Sequence, residues 1–308
     1  MIKLCTQVNP EGFEKRLRLE DDITLLGSCF VDNISAKLRD ASFHVHANPF
    51  GTLYNPASIA NAVRLLDSQD VFTLEDCVQM GAGSEKICSF HHHTSFARES
   101  AEEFLANANQ ALLQARENWH KSRWVIITLG TSFVWTHDGV VVANCLKRPA
   151  KEFEHRLLSL DEICSCIRSI IEGHDDKEFL FTVSPIRHMS LGAHANTLSK
   201  SLLHIALEQC GVPYFPAYEI VLDELRDYRF YAPDMLHPSQ QAVDYIGRRF
   251  GETYFAAETV DFLKAWQPLR AALAHRPLHP ESEEYRQFKE KTLAQVEELR
   301  KKYPEFSF

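Results

Sequence analysis

The chain has 308 residues, 45% of them hydrophobic and 24% charged, with a formal net charge of −9. That length can bury one large core or two modest ones, and the acidic balance argues against a nucleic-acid partner, which needs a basic face. No stretch approaches the ~18 uninterrupted apolar residues of a membrane span, and eight cysteines without a C-x-x-C pair do not make a disulfide scaffold.

The N-terminal residues, Met1 to Gln7, lack the apolar run of a secretory leader. With the cysteines read as reduced thiols, a cytoplasmic protein is expected. The first strand is expected at Ile23-Thr24-Leu25-Leu26, ending abruptly at Gly27-Ser28. A helical pattern follows at once, with Phe30, Val31, Ile34 and Leu38 at three- and four-residue spacing. Ser28 therefore stands at a strand end and a helix start, where unpaired N–H groups can hold a developing oxyanion. It is a candidate nucleophile, with an N-cap as the plain alternative. Cys29 is a rival, one step along the turn, for which a buried apolar role is the favoured reading.

A second strand is expected at Ser42-Phe43-His44-Val45-His46, running into the turn chemistry of Asn48-Pro49-Phe50-Gly51. Residues 52–122 are too long for a simple crossover and read as a lid-like insertion. They hold helical patterns over 56–66 and 101–120 and the cluster His91-His92-His93. Trp124 to Leu129 and Glu178 to Val183 read as buried parallel strands, stopping at Gly130 and at Ser184-Pro185. Val212-Pro213-Tyr214-Phe215 is a weaker fifth strand. Helices are expected over 160–172, 195–210 and 240–250, and a charged helix over 283–302. Strands alternating with helices indicate an α/β fold with a parallel five-stranded sheet covered on both faces. Residues 1–258 are read as the main domain and 259–308 as a C-terminal helical extension.

Near the far end of the main domain stands Asp234-Met235-Leu236-His237. Asp and His three apart can share one side of a turn, so the carboxylate can hold the imidazole in the tautomer a general base needs. His91 and His93 could face one side of an extended segment. Lining a pocket is favoured over binding a metal, because no further ligands are identifiable. Thr131, Arg187 and His188 follow strand ends and are placed at the rim. Arg229, with Arg226 and Asp227, reads as part of an ion-pair network, or as a fork for a substrate anion.

These features resemble the GSCFA family, a branch of the SGNH/GDSL-like hydrolases. Gly27-Ser28-Cys29-Phe30 is similar to the namesake motif, with Val31 in place of Ala. Asn48 to Pro56, the His91 cluster with Ser95-Phe96, Leu129-Gly130-Thr131, Asn144-Cys145 and Ser184 to His188 resemble it too. So does the run from Tyr214 to His237-Pro238, so that the likeness spans roughly residues 5–255. The resemblance implies a three-layer α/β/α fold and a serine esterase in which Ser28 attacks, His237 is the base and Asp234 orients it. Two positions depart from the SGNH pattern: Gly27 stands where an Asp usually precedes the nucleophile. Gly130-Thr131-Ser132 replaces a Gly-x-Asn block whose amide binds the oxyanion. The expected donors are then the Ser28 N–H and Gly51, with Asn144 and Asn48 as substitutes for the amide. A small-molecule acyl ester of a polar alcohol, such as an acylated carbohydrate, is the expected substrate, with no cofactor. Acyl transfer, or ligand binding without catalysis on the same fold, is the alternative.

Overall fold

A computed structural model of the chain describes residues 5–304; the first four residues of the N-terminal stretch considered above lie outside them. The elements run β1 (Asp22–Gly27), α1 (Phe30–Asp40), β2 (His44–Ala47), α2 (Pro56–Asp67), β3 (Val78–Gln79), β4 (Ile87–Cys88), α3 (Ala101–Lys121) and β5 (Trp124–Leu129). After them come β6 (Phe133–His137), β7 (Val140–Val142), β8 (Glu154–Leu157), α4 (Leu160–Ile171), β9 (Glu178–Val183) and α5 (Gly192–Cys210). The short α6 (Ala217–Glu219) leads into a π-turn, followed by α7 (Gln240–Tyr254), α8 (Ala257–Ala274) and α9 (Glu283–Lys302).

The central sheet is parallel with the order β2-β1-β5-β9. Its strands alternate between two cores. Ile23, Leu25, Trp124, Ile126 and Leu180 pack with α1 and α7, while Leu26, Val125, Ile127, Leu129, Phe181 and Val183 pack with α2 to α5. Burial on both faces explains why β5 is apolar but for Thr128. The sheet has four strands rather than the expected five. Residues 212–215 contribute only a parallel bridge from Tyr214 to Phe181. Prolines at 213 and 216 lack the N–H that a longer ladder needs at this edge.

The connection from β1 to β2 covers one face through α1, and the connection onward to β5 crosses to the other face. The switch falls between β1 and β5, which opens a crevice at their C-terminal ends. Gly27 sits there with φ +144°, and a Cβ on it would lie 2.2 Å from the Thr128 carbonyl oxygen. Its N–H donates to Asn48 Oδ1 at 2.9 Å and its carbonyl accepts from Leu53 N at 2.9 Å.

Two features went unread in the sequence. A separate antiparallel sheet, ordered β7-β6-β8, follows β5 directly. Its β6–β7 hairpin turns on Asp138-Gly139, both with positive φ, which is the Asp-Gly signature of such a turn. The C-terminal extension holds a further helix, α8, ahead of the charged helix expected over 283–302. α8 and α9 enclose a small core of Leu19, Phe262, Leu263, Trp266, Val296 and Leu299. An Arg270–Asp40 ion pair at 2.6 Å ties α8 to the end of α1.

The contact at Gly27 leaves no room for any side chain. Gly27→Ala should lose about 3 kcal/mol of stability or more in denaturant unfolding. A loss under about 1 kcal/mol would mean that β1 and β5 can separate freely at this end.

Candidate active site

The turn after Gly27 sends consecutive side chains in different directions. Ser28 is fully buried. Its N–H donates to Thr128 O at 3.1 Å, its carbonyl accepts from Val31 N at 2.8 Å, and its hydroxyl accepts from Phe30 N at 3.4 Å. The Ser28 side chain faces Gly130, where a Cβ would lie 3.2 Å from Ser28 Cβ. Cys29 opens α1 and stays half-buried. Its sulfur lies 3.7 Å from His237 Nε2.

The Asp234–His237 pair sits in a loop closed by an antiparallel bridge between Tyr231 and Pro238. Ala232 N donates to His237 O at 2.8 Å, and Arg187 N donates to Leu236 O at 3.3 Å, joining the loop to the end of β9. Within it, Asp234 Oδ2 is 2.6 Å from His237 Nδ1. Asp234 Oδ1 accepts from the N–H groups of Leu236 and His237 at 2.9 and 3.0 Å. These N–H groups and the imidazole hold the Asp234 carboxyl down at about 2. The carboxylate therefore fixes one ring nitrogen and presents the other to sulfur. From the sequence, His237 Nε2 is expected to serve Ser28; the hydrogen-bond contact the structure gives it is with the Cys29 sulfur. Ser28 is buried against Gly130, while the half-buried Cys29 sulfur is the group within reach of the imidazole.

Burial and the Asp32 carboxylate push the Cys29 thiol up, against the N–H groups of Cys29 and Phe30 and the Lys200 ammonium. Lys200 is 2% exposed. It bridges the carbonyls of Gly130 and Ser184 at 2.7 and 2.6 Å, so it fastens the ends of β5 and β9 together. Desolvation pulls its pKa down to about 7. Its only sequence signal is a lysine on the buried stripe of α5, with Asn196, Ser199 and Leu203.

Several expected site residues are committed elsewhere. The Ser28 N–H is spent on Thr128, and the Gly51 N–H donates to Asn48 O at 2.8 Å. Asn144 Oδ1 caps its own loop by accepting from Leu146 N at 2.8 Å. Thr131 Oγ1 is 2.9 Å from Ser199 Oγ. The Ser132 hydroxyl donates to Ser199 O at 2.7 Å. Arg229 is exposed, lies 3.8 Å from Asp227 and covers the Phe230 ring.

The three histidines diverge. His91 Nδ1 meets Asn61 on α2 at 2.9 Å. His92 is buried among Phe50, Phe72, Phe96 and Phe104, with Ser89 Oγ 2.7 Å from Nδ1. His93 packs against Gly51 and favours the charge of Asp32, so it alone of the three borders the crevice. Among the described residues no group of three or more His, Cys, Asp or Glu is placed to hold a metal ion.

Asn48 and His188 do reach the crevice. Asn48 bonds Gly27 through Oδ1, and its buried Nδ2 makes no close hydrogen bond but favours the charge of the Asp32 carboxylate. His188 follows β9, with its ring edge-on to Tyr54 at 5.6 Å and its N–H donating to Asn196 Oδ1 at 2.9 Å.

Profiles of the GSCFA family match residues 22–250, and those of the GSCFA C-terminal domain match residues 266–308. The chain belongs to the GSCFA family. No curated protein matches it. A solved structure of the psychrotrophic esterase EstA from Pseudoalteromonas sp., inhibited by monoethylphosphonate, resembles 80% of this chain and 100% of its own at 12% identity and a TM-score of 0.37. That likeness is too distant to carry an activity across. No helix among the described residues is long and apolar enough to cross a membrane.

Burial pushes His92 down to about 3 and His188 down to about 4. An imidazole with a depressed folded pKa binds fewer protons than its unfolded counterpart, so stability rises with pH across that window. It is complete above the ordinary value of 6.5 and is lost as pH falls toward 4 and then 3. Each ring contributes at most about 1.4 kcal/mol per pH unit. His92→Phe should flatten the fall in Tm between pH 6.5 and 5, and an unchanged slope would contradict a neutral, buried His92.

Proposed function

We propose that this GSCFA protein is a hydrolase of SGNH type that cleaves small acyl esters of polar alcohols, with Cys29 as nucleophile, His237 as base and Asp234 as its orienting carboxylate. The observation that carries this reading is the line from Asp234 through His237 to the half-buried sulfur of Cys29. Ser28 is then the buried hinge of the turn.

The raised thiol makes the resting sulfur an S–H. Its proton passes to His237 Nε2 as sulfur attacks the acyl carbonyl. The imidazolium, stabilised by Asp234, then protonates the departing alkoxide as the carbonyl–oxygen bond breaks. Water attacks the resulting thioester with His237 again as base. The acid leaves, and the sulfur recovers its proton. The Cys29 N–H at the start of α1 and the amide of Asn48 are the nearest donors for the oxyanion.

A small acyl group suits a thiol held against the strand ends. The His93 and Tyr54 side chains favour a polar alcohol such as a carbohydrate hydroxyl. A groove of about 1030 Å³ between the N-terminal segment and the end of α5 does not include Cys29. The reacting ester is therefore assigned to the open crevice under His237.

Hydrolysis of 4-nitrophenyl acetate by single variants separates the two nucleophiles. Cys29→Ala and His237→Gln should each lower kcat/KM by about 10³-fold or more. Ser28→Ala should cost less than about tenfold. The reverse order would return the nucleophile to Ser28, and hydrolysis indifferent to all three would refute the esterase reading.

A further inference from the structure

The donor that usually completes an oxyanion site of this type has no obvious heir. The Ser132 hydroxyl is held by Ser199, and the N–H groups of Ser28 and Gly51 are bonded within their own turns. Two buried side-chain donors nevertheless flank the end of β1 without a close hydrogen bond. They are Asn48 Nδ2 on the β2 side, which is turned to Asp32, and His188 Nε2 on the β9 side, which donates in the ring's Nε2–H tautomer.

We propose that His188 is a catalytic residue that donates from Nε2 to the oxyanion formed at Cys29, an inference that rests on the hydrolase reading above. Gly130 makes the approach possible. An atom at its Cβ position would lie 3.2 Å from Ser28 Cβ and 3.4 Å from His188 Nε2, so both groups share one face of that glycine. The Tyr54 edge and the Asn196 carbonyl fix the ring and its backbone. Leaving a buried polar nitrogen unpaired is costly, and such costs persist where function uses the group.

The charge state is suited to the task. Burial, then Lys200, then His237 depress the imidazole to about 4, so the ring is neutral at pH 7 and carries a single N–H. A neutral donor strengthens its bond as negative charge develops on the carbonyl oxygen. It also releases the product carboxylate more readily than an imidazolium would. The Lys200 ammonium below the ring suppresses protonation without itself meeting substrate, because it is spent on Gly130 and Ser184.

Steady-state hydrolysis of 4-nitrophenyl acetate by the full chain tests this. His188→Ala should lower kcat by about 10²–10³-fold with KM within about threefold. His188→Gln, which keeps an N–H donor, should recover tenfold or more of that loss (roughly the scale set by a single oxyanion donor). Acetaldehyde, which adds reversibly to a thiol and places an oxyanion at the same point, should inhibit the Ala variant more weakly than the Gln variant. That comparison keeps the test decisive if the Ala variant turns over too slowly to measure. Cys29-dependent hydrolysis that survives His188→Ala unchanged overturns the donor and leaves the hydrolase intact. Equal losses in the Ala and Gln variants with intact folding would assign His188 a packing role and overturn it too. Wild-type hydrolysis no faster than that of Cys29→Ala removes the reading beneath it, and the donor falls with it.

Discussion

The close approach of Gly27 to the Thr128 carbonyl is the constraint from which the crevice follows. It brings β1 and β5 together at the point where the helical connections change face. A residue with a Cβ cannot occupy that position, and the next side chain, Ser28, lies buried against Gly130. Ser28 fills the interior of the turn, and Cys29 emerges at the first turn of α1. Asn48 reinforces the arrangement from β2 by accepting the Gly27 N–H. Of the two adjacent side chains, the Cys29 sulfur is the one within 3.7 Å of the His237 imidazole.

Electrostatics then tune what geometry has placed. Lys200 is buried yet satisfied by two strand-end carbonyls, so its charge is delivered to the floor of the crevice rather than to solvent. It favours the thiolate of Cys29, while burial and Asp32 oppose it and prevail. In the proposed reaction the sulfur therefore depends on His237 for deprotonation at the moment of attack. That places the emphasis on the Asp234 loop, where two backbone N–H groups and the imidazole hold the carboxylate in its charged form. The loop is exposed, so its precision comes from these short hydrogen bonds and from Arg187 N gripping Leu236 O, with little help from packing.

Much of this was legible in the residues. Each strand of the central sheet is a β-rich run ending at a small or polar residue, and the amphipathic spacing of α1, α3, α4, α7 and α9 declares the helices. Asp234 and His237 announce themselves as a pair because their contact is local. The direction of Ser28 and Cys29 was hidden, since it depends on the separation of β1 from a strand a hundred residues later. Lys200 was hidden for the same reason: its partners come from two different strand ends. The β6–β7 hairpin was readable from Asp138-Gly139 but masked by the continuous apolar pattern around it. The three histidines show the limit of alternation arguments. Their segment carries a 3-10 turn and the chain rotates each ring toward a different neighbour.

The central claim is that the acyl group passes through sulfur. Acid quenching of the protein during turnover of 4-nitrophenyl acetate, followed by peptide mass mapping, observes the intermediate itself. The expected result is an acetyl group on the peptide carrying Cys29, removed by neutral hydroxylamine as a thioester should be and absent in His237→Gln. An acetyl group on the Ser28 hydroxyl, stable to the same treatment, would contradict it.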